Sequence, residues 1–154
     1  MKIRLAADLQ SDSIVDGLGI RTVIWTQGCS HNCPSCHNPE THDFSGGDPM
    51  FQPKQCAILA KKVHELNMNV WAYTGFTYEE LLEKGSKDIL EFLGEIDVLI
   101  DGKFDPSKKS LDLEFRGSSN QRIIDVKKSL ENHKVILFDL KNKKIEPKKE
   151  KLYI

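Results

Sequence analysis

Residues 69–103 read NVWAYTGFTYEELLEKGSKDILEFLGEIDVLIDGK. Asn69-Val70-Trp71-Ala72-Tyr73-Thr74 is aromatic and β-branched, which predicts a strand, and Gly75 then turns the chain. Thr77 with Glu80 spells a capping box that opens a helix through Leu82, and Ser86 is placed to cap a further short helix carrying Ile89, Leu90 and Leu93. Ile96-Asp97-Val98-Leu99-Ile100 follows as a compact apolar run, as a strand covered on both faces requires, and ends in the polar turn Asp101-Gly102-Lys103. Strand, helices and strand in succession make a crossover unit, so the spacing predicts an α/β fold with a mostly parallel sheet.

The same alternation extends outward. On the N-terminal side, Cys56, Leu59, Ala60, Val63 and Leu66 recur at helical spacing with lysines opposite, after Pro53. Further back, Arg21-Thr22-Val23-Ile24-Trp25-Thr26 predicts a strand that runs straight into Gly28 and a group of cysteines. On the C-terminal side, 122–126 and 134–138 are expected as strands with a short helix between them. Lys and Glu dominate from Lys141 onward and Pro147 interrupts them, so the organisation expected is one domain over 1–138 and a charged, solvated tail over 139–154. In such folds the loops beyond the carboxyl ends of the strands carry function. Three loops share that edge: the cysteine loop, Thr74-Gly75, and Asp101-Gly102-Lys103.

The 154 residues suit one domain with a single core, with 39% hydrophobic and 29% charged residues. A formal net charge of −1 offers no global positive field for nucleic acid or anionic lipid. No apolar run reaches membrane-span length and the N-terminus has no apolar signal region, so a cytoplasmic protein is expected.

Three of the four cysteines, Cys29, Cys33 and Cys36, stand in one short loop as Cys-x3-Cys-x2-Cys. In a reducing compartment such crowding points to metal or redox chemistry. Three soft thiolates suit three corners of an iron–sulfur cube and leave the fourth iron open, as a reactive centre requires. Other readings stand beside this one. Zinc of Cys3His type would recruit His31, His37 or His42, but here the fourth ligand is ambiguous. Cys33-Pro34-Ser35-Cys36-His37 also spells a haem-attachment signal or a redox pair; the first lacks an export signal and the second leaves Cys29 without a role. Cys56, among Ala57, Ile58 and Leu59, is expected to be a buried small hydrophobe.

With Gly17-Leu18-Gly19-Ile20-Arg21 and the strand ending Gly28-Cys29 before it, the cysteine spacing resembles the radical S-adenosylmethionine enzymes, specifically their glycyl-radical activases. Trp71-Ala72-Tyr73-Thr74-Gly75, Asp101-Gly102-Lys103-Phe104 and Arg116-Gly117-Ser118-Ser119-Asn120-Gln121 are similar to the branch serving anaerobic ribonucleoside-triphosphate reductase, and the likeness runs to about Phe138; the alternative within the same chemistry is an activase of another glycyl-radical enzyme, such as pyruvate formate-lyase. The resemblance implies a shortened, open partial (β/α) barrel of the radical S-adenosylmethionine type. It implies a [4Fe–4S] cluster on Cys29, Cys33 and Cys36, and S-adenosylmethionine held by Ser35, Cys36, His37, Gly46, Gly47 and Asp48. Cleavage of that cofactor then yields a deoxyadenosyl radical, which takes hydrogen from a backbone glycine of the large reductase subunit. The electron comes from an external flavodoxin- or ferredoxin-like donor, and no side-chain acid or base is required. Alone, Gly46-Gly47-Asp48-Pro49 would be an ordinary turn before a helix; beside the cysteines it matches the glycine motif that receives the cofactor's amino group.

The chain departs from the family pattern between Cys36 and Gly46, where the crossover expected at this point, about a dozen residues or more, has no room. An internal segment is therefore expected to be missing near 44–45. His64 and His133 are expected as surface residues, and at least one of Trp71 and Tyr73 as core. Asp101 and Lys103 read equally as a contact to cofactor or partner and as a local salt bridge. The loop from Arg116 to Arg122 is offered as a docking surface for the partner.

Overall fold

The computed structural model describes residues 2–31, 33, 34, 36 and 47–141. Strands β1 (Gln10–Ser13) and β2 (Arg21–Val23) pair antiparallel. A 3-10 turn over Pro49–Phe51 leads into helix α1 (Pro53–Glu65), then strand β3 (Trp71–Tyr73). Helices α2 (Tyr78–Lys84) and α3 (Lys87–Gly94) carry the chain to strand β4 (Val98–Asp101), which pairs parallel with β3. Strand β5 (Arg122–Asp125) and helix α4 (Val126–Glu131) complete the order, and the second sheet runs β3-β4-β5.

The local signals read from sequence operate as expected here. Thr77 accepts from the Glu80 N–H while Glu80 reaches back to the Thr77 N–H at 2.8 Å, closing the capping box, and Gly85 ends α2 in the left-handed region. Ser86 accepts from the Ile89 N–H to start α3. All four residues of β4 are buried. Leu99 packs with Ala72, Ile124, Cys56, Ala60, Phe92 and Leu93 on the helix-covered face, and Val98 and Ile100 meet Ile123, Trp71, Phe115 and Phe138 on the other. Trp71 is thus the core member of the aromatic pair, while Tyr73 is 36% exposed.

Two expectations need correcting. The sheets are mixed rather than mostly parallel among the described residues: β4 and β5 run antiparallel, because the chain between them, 102–121, returns without a crossover helix. Residues 134–138 do not form a strand but a single bridge, Ile124 to Leu137. The physical reason is Ser129. Its hydroxyl takes the Ile136 N–H at 2.9 Å and donates to the Asp125 carbonyl at 2.6 Å, standing where the next ladder bond would form. Phe44 and Ser45, at the expected deletion, lie outside the described residues, as does the tail from 142.

The opposite end of the sheet is tied by Asp97. It accepts from the Val70 N–H at 2.8 Å, and its other contacts are His64 Nε2 at 2.9 Å and Lys127 Nζ at 2.7 Å. His64 also lies 3.3 Å from Glu95, so this histidine is half-buried between carboxylates rather than free on the surface. His133 is exposed, as expected.

Leu99→Ala is expected to destabilise the protein by about 2–5 kcal/mol in a urea titration, since Leu99 is wholly buried between sheet and helices. The Asp97 contact also predicts a pH dependence. Burial opposes its charge, but the hydrogen bonds from Lys127, the Val70 N–H and His64 outweigh it and hold the carboxyl below its ordinary 3.8. The stability this contributes is complete above the unfolded value and is lost as pH falls through the lower folded one. Asp97→Asn should therefore lie below the wild type in urea midpoint at about pH 6, and the gap should close as pH is lowered to about 3.

Candidate metal centre and its supporting shell

The cysteine loop leaves β2 through Gly28, whose φ of +103° is one that side-chain-bearing residues rarely adopt. Gly28 forms a parallel bridge with Gly47, and the Asp48 N–H donates to the Gly28 carbonyl at 3.1 Å. A Cβ at Gly47 would lie 2.2 Å from the Thr26 carbonyl oxygen, so glycine is demanded there by packing alone. Gln52, 5% exposed, stitches this region together: its amide takes the Arg4 N–H and donates to the carbonyls of Arg4 and Gln27.

All three loops named from sequence meet at this edge. Asp48 Oδ2 accepts from His31 Nε2 at 2.9 Å, from the Thr74 hydroxyl at 2.7 Å and from the Gly75 N–H at 2.7 Å, joining the cysteine loop to the end of β3. The Phe104 N–H donates to the Cys33 sulfur, bringing the turn after β4 to the same loop, and the Gly102 N–H reaches back to the Phe76 carbonyl at 2.9 Å. A cavity of about 610 Å³ has walls that include Thr26, Gly47, Cys56, Ala60, Phe104 and Gln121, and none of Cys29, Cys33 and Cys36.

Cys29, Cys33 and Cys36 are half-buried free thiols, with the Cys36 N–H turned onto the Cys33 carbonyl. Burial pushes the Cys29 and Cys33 thiols up, and the negative charge of Asp48 and of the neighbouring thiolates adds to it. Lys103 and the Phe104 N–H work the other way at Cys33, and the His31 N–H does so at Cys29. Three mutually repelling thiolates with backbone donors at two sulfurs are a donor set that a soft, positively charged group would neutralise, and one thiolate per iron is what a cluster takes. Among the described residues no group of three His, Cys, Asp or Glu converges on a single ion. Ser35, His37, His42 and Gly46 lie outside the described residues.

Several readings resolve differently from expectation. Asp101, 1% exposed, makes a local salt bridge, but with Arg122 and not Lys103, and it also accepts from the Tyr78 N–H at 2.8 Å. The Arg116–Gln121 stretch makes several inward bonds, while Ser119 and Asn120 stay exposed. Gln121 takes the N–H groups of Gly117 and Ser118 and donates to the Gly102 carbonyl, while Asn120 donates to the Lys103 carbonyl at 2.8 Å. Arg116 donates to the Gln121 carbonyl. Sequence reasoning missed Gln52 altogether, and it marked Thr74, His31 and Gln121 by their loops and motifs without the bonds they make.

Comparison with known proteins places the chain among iron–sulfur domains. The family model described as a 4Fe-4S single cluster domain matches residues 15–45 and 42–124, two stretches that meet where a segment is expected to be missing. The chain is similar to the anaerobic ribonucleoside-triphosphate reductase-activating proteins of Pasteurella multocida (strain Pm70), 33% identical over 71% of this chain and 90% of the relative, and of Escherichia coli (strain K12), 29% identical over 70% and 90%. The protein of that name from Enterobacteria phage T4 is 28% identical over 71% of this chain and 86% of its own. The chain belongs to the anaerobic ribonucleoside-triphosphate reductase-activating protein family. The Pasteurella alignment runs over 145 positions yet uses 71% of the 154 residues, so part of it crosses residues that only the relative has. Among the described residues no helix is long and apolar enough to cross a membrane.

Cys56, buried in the core, is pushed up to about 12 chiefly by its desolvation. Iodoacetamide at about pH 8 should label Cys29, Cys33 and Cys36 of the cluster-free native protein and leave Cys56 unmodified until denaturant is added, as peptide mass mapping will report.

Proposed function

We propose that this protein activates an anaerobic ribonucleoside-triphosphate reductase as a radical S-adenosylmethionine enzyme, in a cytoplasmic setting, on a shortened and open partial barrel. The observation that carries the reading is Cys29, Cys33 and Cys36 on one loop beyond β2, in a chain of this family. When bound there, a [4Fe–4S] cluster supplies the electron that cleaves S-adenosylmethionine, leading to hydrogen abstraction from a backbone glycine of the large reductase subunit.

The chain's own residues hold and shield. Cys29, Cys33 and Cys36 ligate the cluster, and the Phe104 and His31 N–H groups donate to two of the sulfurs, a contact that favours the thiolate form. The family likeness assigns S-adenosylmethionine to Ser35, Cys36, His37, Gly46, Gly47 and Asp48. The cavity walled in part by Gly47 has the size of a cofactor site. An open side suits a substrate that is another protein's glycine loop, and the electron comes from an external flavodoxin- or ferredoxin-like donor. No side chain is needed as acid or base.

The test is anoxic reconstitution with iron and sulfide, reduction, and mixing with S-adenosylmethionine and the large reductase subunit. A glycine-centred doublet in the electron paramagnetic resonance spectrum together with deoxyadenosine is the expected result, and Cys29→Ser, Cys33→Ser and Cys36→Ser should each abolish both. A wild-type protein that holds its cluster and yields neither signal sinks the proposal. One that instead takes up stoichiometric zinc is a non-catalytic binding module.

A further inference from the structure

Asp48 is a buried carboxylate set among hydrogen-bond donors. It is 4% exposed, and no lysine or arginine pairs with it among the described residues. Such a group is tolerated only when donors surround it. Oδ1 accepts from the Met50 N–H at 3.0 Å, and Oδ2 takes three donors at once, from His31, Thr74 and Gly75. A carboxylate oxygen with three donors is committed to its neighbours.

His31 stands midway between Cys29 and Cys33, and its side chain is only 7% exposed. Its ring lies edge-on to Phe76 with centroids 4.4 Å apart and to Phe51 at 6.0 Å. On its remaining side is Gly75, where a Cβ would come 2.6 Å from the ring carbon Cδ2. Under 3 Å something must shift, and the ring is already wedged by two aromatics and fixed by Asp48. Gly75 is therefore fitted to His31, and His31 to Asp48.

We propose that Asp48 and His31 are a positioning pair for the metal centre, with Gly75 as the seat of the ring. The carboxylate fixes the imidazole, the imidazole fixes the backbone between the first two cysteines, and the pair sets where Cys29 and Cys33 stand relative to the end of β3. Asp48 acts on the cluster through His31, while its backbone faces the cofactor. This rests on the cluster reading and deepens it.

The experiment measures iron affinity by chelator competition and the reduced-cluster electron paramagnetic resonance spectrum, both without S-adenosylmethionine, in reconstituted Asp48→Asn, His31→Ala, His31→Gln and Gly75→Ala proteins. His31→Ala and Gly75→Ala are expected to lose about 10- to 100-fold in iron affinity and to shift the spectrum, as loss of an outer-shell partner does at metal sites. His31→Gln, whose amide N–H can reach the same oxygen, should recover most of the loss. Asp97→Asn, which loosens the opposite end of the sheet, controls for a general loss of stability and should bind iron as the wild type does. The proposal is overturned if Gly75→Ala and His31→Ala bind iron like wild type, if His31→Gln is no better than alanine, or if Asp97→Asn loses affinity equally. It is also overturned if Asp48→Asn loads normally and loses only affinity for S-adenosylmethionine, which would make the carboxylate a direct cofactor contact. A wild-type protein that binds iron but generates no glycyl radical defeats the proposed function and leaves these comparisons standing.

Discussion

A carboxylate taken out of water must be matched by a cation or encircled by donors, and this chain uses both solutions at one sheet edge. Asp101, at the end of β4, is matched by Arg122, which also holds Glu79 of α2. Asp48, just past the cysteine loop, is encircled. The difference has consequences for what each can organise. The ion pair of Asp101 locks β4 to β5, and its bond from the Tyr78 N–H adds the start of α2. A carboxylate satisfied by hydrogen bonds gathers several backbones, so Asp48 draws together the cysteine loop, the Pro49–Phe51 turn and the end of β3. Removing either partner would leave a buried polar group unpaired, which is where the larger costs of substitution lie.

Much of the scaffold was legible in the sequence because it depends on local signals. The Thr77–Glu80 box, the Ser86 cap, the uninterrupted apolar run of β4 and the burial of Cys56 each follow from neighbours a few residues away. The direction of β5 did not, since strand propensity is the same for parallel and antiparallel pairing and only the route of 102–121 decides it. The expected strand at 134–138 failed on a single hydroxyl from α4, and no pattern of apolar residues could announce that Ser129 would take the Ile136 N–H.

The site divides the same way. The cysteines declare themselves by spacing, whereas their supports are side chains bonded to backbone far away in sequence. Gln52 reaches Arg4 across 48 positions and Asp48 reaches Thr74 across 26, and such pairs leave no periodicity behind. The glycines show how one motif answers two demands. Gly47 was read for the approach of a ligand, yet the Thr26 carbonyl already forbids a side chain there, so the motif would need this glycine even in a protein that bound nothing.

The polar stretch from Arg116 to Gln121 also bears on the cysteine loop. Its side chains grip the carbonyls of Gly102 and Lys103, and Ser118, wholly buried, accepts from the Asp105 N–H. That grip fixes both sides of Phe104, whose N–H lies on the Cys33 sulfur. The cysteine loop is thus braced twice, at His31 from the end of β3 and at Cys33 from the turn after β4. Those two strands are the parallel pair, buried in register from Trp71–Val98 to Tyr73–Ile100, so the braces rise from one rigid piece of sheet. Loops elsewhere can vary while two of the three thiols keep a common frame, which is how a short α/β chain can steady a cysteine loop on an otherwise irregular segment.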